Sequence, residues 1–350
     1  MADPLEVVLS RYEDYTSGQN GRVNIPSFRR YVITNFRGGV GKTSLTFNLG
    51  YELALRQMKV LFVDACPQMN LSEILLRDNV SVGPDLYGAL ISEIMPTGQT
   101  PSQVGMAARV GGTCPAFAGH DAYLLKGSTE LYLFAGTLHS QLSTAASLMH
   151  SQASSVIRHI LLSLSRIAER EEVAHEIDRV LFDTSPFFNG ATQLSWMAAD
   201  ALIVPIRVDH ASIVGLSLVF RMLNDPSMDL IKYMRMSGIE NLPKIHSIVV
   251  THANWSRRKR FEPDAATRHF LNAALQLAMQ YPSLFGTGRP EDHVFLLDDF
   301  LSAGKISGER SIPICELQPG QQFSIRGQKL NVNESVERYK NQLKFLAATL

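Results

Sequence analysis

The sequence lacks a net charge: basic and acidic residues balance at 33 each. No global field therefore draws the chain to nucleic acid or to an anionic membrane, and any such contact must be a local patch. Cysteine is scarce. Cys66, Cys114 and Cys315 stand far apart with no CxxC or Cys/His cluster, which argues against a disulfide framework or a structural zinc site and fits reduced intracellular thiols. His139, His159, His175, His210 and His252 also lack metal-ligand spacing. No apolar run reaches the roughly 18 residues of a membrane span. The start, MADPLEVVLSRYEDY, carries acids in place of a basic region followed by an apolar stretch. Internal repeats and low-complexity tracts are missing too. The expectation is a globular, cytoplasmic protein.

What is present is a hydrophobic content of 45% over 350 residues, enough for a large core. YVIT reads as a strand, followed by a glycine loop and then KTSLTFNLGYELALRQ with Leu45, Leu49 and Leu53 on one helical face. KVLFV ends at Asp64 and IDRVLF at Asp183, both continuous apolar runs suited to a parallel sheet covered on both faces. ALIVPI (201–206) and KIHSIVVT (244–251) follow, with helical segments between. This alternation predicts an α/β fold with a mostly parallel sheet flanked by helices on both faces. Residues 1–30 read as an N-terminal extension and linker, and 31–350 as the main domain. Residues 80–122, rich in Gly and Pro, form an irregular excursion with one helix around DLYGALISEI. That excursion is a surface insertion, a lid or a partner surface.

In FRGGVGKTS, residues 36–44, a glycine turn leads into a helix, so backbone amides and the helix dipole converge where polyphosphate can sit. Gly38, Gly39, Val40 and Gly41 form the turn. Lys42 is suited to neutralise the β and γ phosphates, Thr43 to ligate Mg²⁺, and Ser44 closes the loop. Phe36 stands where GxxxxGK[ST] has its first glycine, but the loop lies between a predicted strand and helix, the context of a P-loop NTPase. Asp64 and Asp183, each ending an apolar strand, are candidate Mg²⁺ ligands, directly or through water. Each alone could equally be a cap or turn residue. ATP and Mg²⁺ are the expected cofactors.

RGGVGKTS resembles the deviant Walker A loop KGGxGK[ST] of the ParA/MinD family. VDACPQMN resembles its switch I stretch D-x-D-P-Q-x-N, and LFDTSPFFNGATQLSWMAADALIVPIRVDHASIVGL its Walker B region and following strand. YLFAGTLHSQLS and the closing SIPICEL…NESVERYKNQLKFLAATL are also similar, so the resemblance runs from about residue 31 onward and omits the excursion. It implies an ATP-dependent sandwich homodimer in which the first lysine of the loop reaches the partner's phosphates. Hydrolysis resets the dimer when an activating protein partner binds. Family members position plasmids, chromosomes or other large cargo, with a cytoplasmic or nucleoid-associated location; PQMN favours the ParA branch.

Two family positions are changed. The cross-dimer lysine is Arg37, which keeps its charge and can fork onto two phosphate oxygens; an ordinary solvated or same-subunit contact is the alternative. The second switch I aspartate, which orients the attacking water in the family, is Cys66. A neutral thiol is a weak hydrogen-bond partner and cannot imitate a carboxylate. Groups of that kind contribute about 10² to 10⁴ in rate, so weak intrinsic ATP hydrolysis is expected with Lys42, Arg37 and Asp64 as the chemical residues. The alternatives are a pseudo-ATPase scaffold stapled by bound ATP and an ATP-dependent synthetase on a related P-loop fold.

Asn254, just after the fifth strand, is suited to read a base edge or to shape a turn. Arg257, Arg258, Lys259 and Arg260 form the densest basic run, suited to non-specific DNA phosphates or to a solvated helix start. Val332, Val336, Tyr339, Leu343, Leu346 and Leu350 make one helical stripe. Its mixed-charge polar face argues for packing on the core and against membrane targeting.

Overall fold

A computed structural model describes residues 3–19, 23–95, 105–188, 190–255 and 262–350, with only the backbone of His150. In chain order the elements are α1 (Pro4–Thr16), β1 (Arg30–Ile33), α2 (Lys42–Leu55), β2 (Val60–Ala65), α3 (Asn70–Leu76), α4 (Leu86–Ile94), β3 (Ala108–Arg109) and β4 (Ala122–Leu125). Then come α5 (Leu131–Ala146), α6 (His150–Leu161), α7 (Ser163–His175), β5 (Arg179–Thr184), α8 (Gly190–Ala198), β6 (Ala201–Arg207), α9 (His210–Asn224) and α10 (Asp229–Met236). The remainder is β7 (Lys244–Ala253), α11 (Ala265–Ala278), β8 (Val294–Asp298), α12 (Leu301–Arg310), β9 (Gln322–Ile325), β10 (Gln328–Asn331) and α13 (Val336–Ala347).

Eight strands form one sheet in the order β3-β4-β2-β5-β1-β6-β7-β8. All neighbours from β4 to β8 are parallel, and β3 adds an antiparallel edge. Successive side chains of a strand point to opposite faces, and both faces are buried here. Val32, Leu61 and Val63 enter the core beneath the α4–α11 side, whereas Tyr31, Ile33, Val60 and Phe62 enter the one beneath α2, α12 and α13. The continuous apolar runs in the sequence are the signature of this double coverage. The strands legible in sequence appear within about two residues of their expected ends; β4 and β8 extend the sheet beyond them.

Helix α1 is part of the same core. Asp3 caps it by accepting the Leu5 N–H, with Pro4 in the first turn. It buries Leu5, Val8, Leu9, Tyr12 and Tyr15, Tyr12 stacking on Trp255 at 4.0 Å and Tyr15 on Phe345 at 4.5 Å. Thirty residues cannot bury a core of their own, and these complete one made by others. The excursion also reaches inward: Val110, Cys114 and Phe117 are buried on the α2 side, and buried Glu171 accepts the Met106 and Ala107 N–H groups. The C-terminal stripe is buried in full, as its polar face predicts. Among the described residues no helix is long and apolar enough to cross a membrane.

Candidate nucleotide-binding site

The loop after β1 lies at the carboxyl end of the parallel strands, where open α/β sheets hold ligands. Gly39 and Gly41 have φ of +70° and +85°, a region that side chains other than glycine's rarely enter. Gly41 heads α2 with no side-chain cap, so the first amides of a 14-residue helix stay available to an anion. Packing fixes the loop from two sides. A Cβ on Gly215 of α9 would fall 2.5 Å from Asn35 Oδ1, and Thr251 Oγ1 donates to the Val40 carbonyl at 3.2 Å or to that of Ile206 at 3.1 Å. Lys42 folds back over the loop, its Nζ donating to the Asn35 and Arg37 carbonyls at 3.1 and 3.0 Å. Burial lowers its pKa, against the pull of Asp183.

Beside the loop, Asp64 and Asp183 are partners in register on β2 and β5, and both are fully buried. Burial pushes both carboxyls well above the usual aspartate range, and at Asp183 the charge of Asp64 adds to the rise. Thr43 Oγ1 donates to Asp183 Oδ2 at 2.6 Å. Asp64 is held by a residue that the sequence reading passed over: Ser72 of α3 donates to Oδ2 through its N–H at 2.9 Å and its hydroxyl at 2.7 Å. The Cys66 N–H donates to the other oxygen. The buried Cys66 thiol is pushed up to about 12, first by burial and then by Asp183 and Asp64. The donor set fits a hard divalent cation, since two desolvated carboxylates and a hydroxyl converge next to a phosphate cradle.

Arg37 is 44% exposed and lies 3.7 Å from Asp209 Oδ2. On the other side of the loop a cleft of about 640 Å³ opens between Gly39, Gly41 and Ser44 and the start of α12. Arg207, Thr251, His252, Asp299 and Lys305 line it, and none of these was singled out for a nucleotide role in the sequence. His252 sits at φ +59°, where the β7–β8 register shifts. Burial lowers its pKa, opposed by Asp299 and reinforced by Arg207. Asn254 is exposed beyond the residues lining this cleft; its backbone N–H donates to Thr267 Oγ1. The run Arg257, Arg258, Lys259 and Arg260 lies outside the described residues. No metal-ligating group of three or more His, Cys, Asp or Glu occurs among the described residues.

A family model described as an AAA domain matches residues 29–231, more than half of the chain. The chain is 26% identical over 228 residues to a putative replication protein A of Rhizobium rhizogenes, covering 62% of this chain and 51% of that protein. To a probable plasmid-partitioning protein ParA of Thermus thermophilus it is 36% identical over 100 residues, 29% of this chain and 30% of the relative. It thus spans about half of the first relative's length and less than a third of the second's. Its fold is similar to that of McdA of Cyanothece in complex with ATP, with a TM-score of 0.59 and 17% identity over 92% of this chain and 96% of that one. With the glycine loop, the paired strand-end aspartates and the parallel sheet in place, the chain belongs to the ParA/MinD family of P-loop ATPases.

Proposed function

We propose that the protein is a ParA-like molecular switch that binds ATP with Mg²⁺, closes into a nucleotide-sandwich homodimer, and hydrolyses slowly. It would control the positioning of a partner or cargo, DNA or a large complex, with an activating protein resetting it. The observation that carries this reading is the meeting of the Gly38–Gly41 cradle with Lys42, Thr43, Asp64 and Asp183 at one end of β1, β2 and β5. Lys42 would leave the loop carbonyls for phosphate oxygens, and Thr43, Asp64 and Asp183 would hold Mg²⁺. When bound, the ion neutralises phosphate charge.

Slow turnover follows from Cys66. A thiol this far from ionising cannot accept a proton from water or hold it in line as a carboxylate does. Dimerisation is supported by the loop's surroundings. Phe187, Val214 and Leu218 are exposed next to residues packed against the loop, Phe188 on Phe36 and Gly215 on Asn35. Exposed apolar groups around a charged loop suit a second copy. DNA retention through Arg257–Arg260 belongs to the same proposal and should fade as salt rises.

The test is sedimentation velocity with Mg-ATP, Mg-ADP and no nucleotide, alongside phosphate release. Dimer with ATP alone and slow release support the switch. Monomer in every state, or brisk release without a partner, overturns it. A dimer that persists equally with ADP supports instead a scaffold stapled by nucleotide, the second reading that Cys66 favours.

A further inference from the structure

Arg207 ends β6 and is half-buried. Its backbone N–H is fixed by Ser212 Oγ at 3.0 Å, and its guanidinium reaches the glycine loop, Nη1 lying 4.0 Å from where a Cβ on Gly39 would stand. The acids around it make their hydrogen bonds elsewhere, although Asp209 also feels the Arg207 charge. Asp209 caps α9 through the Ser212 N–H at 2.8 Å and pairs with Arg37. Asp298 accepts from Tyr12, Trp255 and Gln342 and pairs with Arg338. Asp299 accepts the Leu301 N–H. Among the described residues the Arg207 guanidinium makes no hydrogen bond or ion pair, although it lines the cleft that begins at Gly39 and Gly41. A guanidinium is planar, always charged and shaped to fork onto phosphate oxygens, so leaving one unpaired beside the glycine loop and the uncapped start of α2 points to an anionic ligand.

We propose that Arg207 is a same-subunit phosphate-binding residue, a second arginine that grips the nucleotide's polyphosphate from the cleft side while Arg37 serves the opposite, exposed side. This rests on the nucleotide-binding reading above. It divides the labour between two arginines: Arg207 raises the affinity of each subunit for nucleotide, and Arg37 is free to act across the dimer.

The test measures binding of a fluorescent ATP analogue, with ATP, ADP and adenosine as competitors, to wild type and to Arg207→Ala, Arg207→Lys and Arg207→Glu. A charge-assisted contact predicts about 10- to 100-fold weaker ATP and ADP binding in Arg207→Ala. Arg207→Lys should fall between, Arg207→Glu should be weakest, and adenosine should be nearly unaffected. The melting temperature of Arg207→Ala without nucleotide should stay near the wild-type value, since no hydrogen bond or ion pair of its guanidinium among the described residues is lost. Unchanged ATP affinity in Arg207→Ala overturns the inference and leaves the nucleotide-binding reading standing. An equal loss for adenosine, or a lowered melting temperature that accounts for the weaker binding, overturns it in favour of a structural role. A wild-type protein that binds no ATP overturns both.

Discussion

The Arg37 guanidinium lies 3.7 Å from Asp209 Oδ2, and the other oxygen of that carboxylate caps α9 by accepting the Ser212 N–H at 2.8 Å. Arg37 is therefore parked on its own subunit by an exposed pair, a contact worth at most about 1 kcal/mol. Release toward the second subunit of the proposed dimer would therefore cost little. Arg37→Ala should abolish ATP-dependent dimerisation in sedimentation velocity. Asp209→Asn keeps an N-cap but frees the arginine, and should tighten the dimer by up to about 5-fold. Loss of dimer in Asp209→Asn would mean that the pair itself organises the interface.

Restoring a carboxylate at Cys66 tests the slow-turnover reading. Cys66→Asp should raise phosphate release by at least about 10-fold, with about 10⁴-fold as the ceiling for a group of this kind. It also adds a third acid beside Asp64 and Asp183, so its melting temperature without Mg²⁺ should fall and recover when Mg²⁺ and nucleotide are added. Unchanged turnover in a folded variant would count against Cys66 as the cause.

The Thr43–Asp183 contact bears on the cation. Thr43→Ala and Asp183→Asn should each leave ATP binding measured in EDTA near the wild-type value while removing most of the gain that Mg²⁺ brings, about 10-fold or more by titration calorimetry. If both variants respond to Mg²⁺ as wild type does, the cation is held elsewhere.

Acid should destabilise the fold through His246, far from the loop. The ring is buried; its Nε2 donates to the Thr349 carbonyl at 3.1 Å and its Nδ1 has no partner among the described residues. Burial lowers its pKa to about 3, whereas the unfolded chain titrates near 6.5. The unfolded state thus binds more protons below pH 6.5. The stabilisation is complete above that pH and declines as pH falls toward 3, by about 2 kcal/mol at pH 5. His246→Gln, which keeps an N–H for Thr349, should flatten this limb of a urea-unfolding series between pH 7 and 5. An unchanged slope would assign the acid sensitivity to other groups.

The candidate site was legible in sequence where its chemistry is local. Gly38 to Thr43 are consecutive, and Asp64 and Asp183 each end an apolar run, so strand geometry alone aims them at the same edge of a sheet. Ser72 was not legible, because nothing in QMNLSEILL marks one serine as the clasp of a carboxylate eight residues earlier. Arg207 was hidden for a similar reason: in VPIRVD it reads as a routine strand-end residue. Only the adjacency of β6 to β1 brings it to Gly39. Strand β8 was missed because VFLLDD is short and follows a Pro- and charge-rich stretch, though its backbone pairs with β7 once that strand exists.

By itself, the sequence determined the phosphate-loop motif and the layered α/β architecture, since both follow from short-range patterns: a glycine turn between a strand and a helix, and alternation of apolar runs. It also showed two departures from the family pattern, Arg37 and Cys66. The tertiary structure decided which groups share the site and which are already committed. Long-range pairing set Asp183 beside Asp64, occupied Asp209 with Arg37 and Asp298 with Tyr12 and Trp255, and left Arg207 unpaired among the described residues. It also turned residues 3–16 from an apparent extension into core, because Tyr12 and Tyr15 find their partners at Trp255 and Phe345. Such contacts depend on where distant strands and helices end, and no local pattern encodes that.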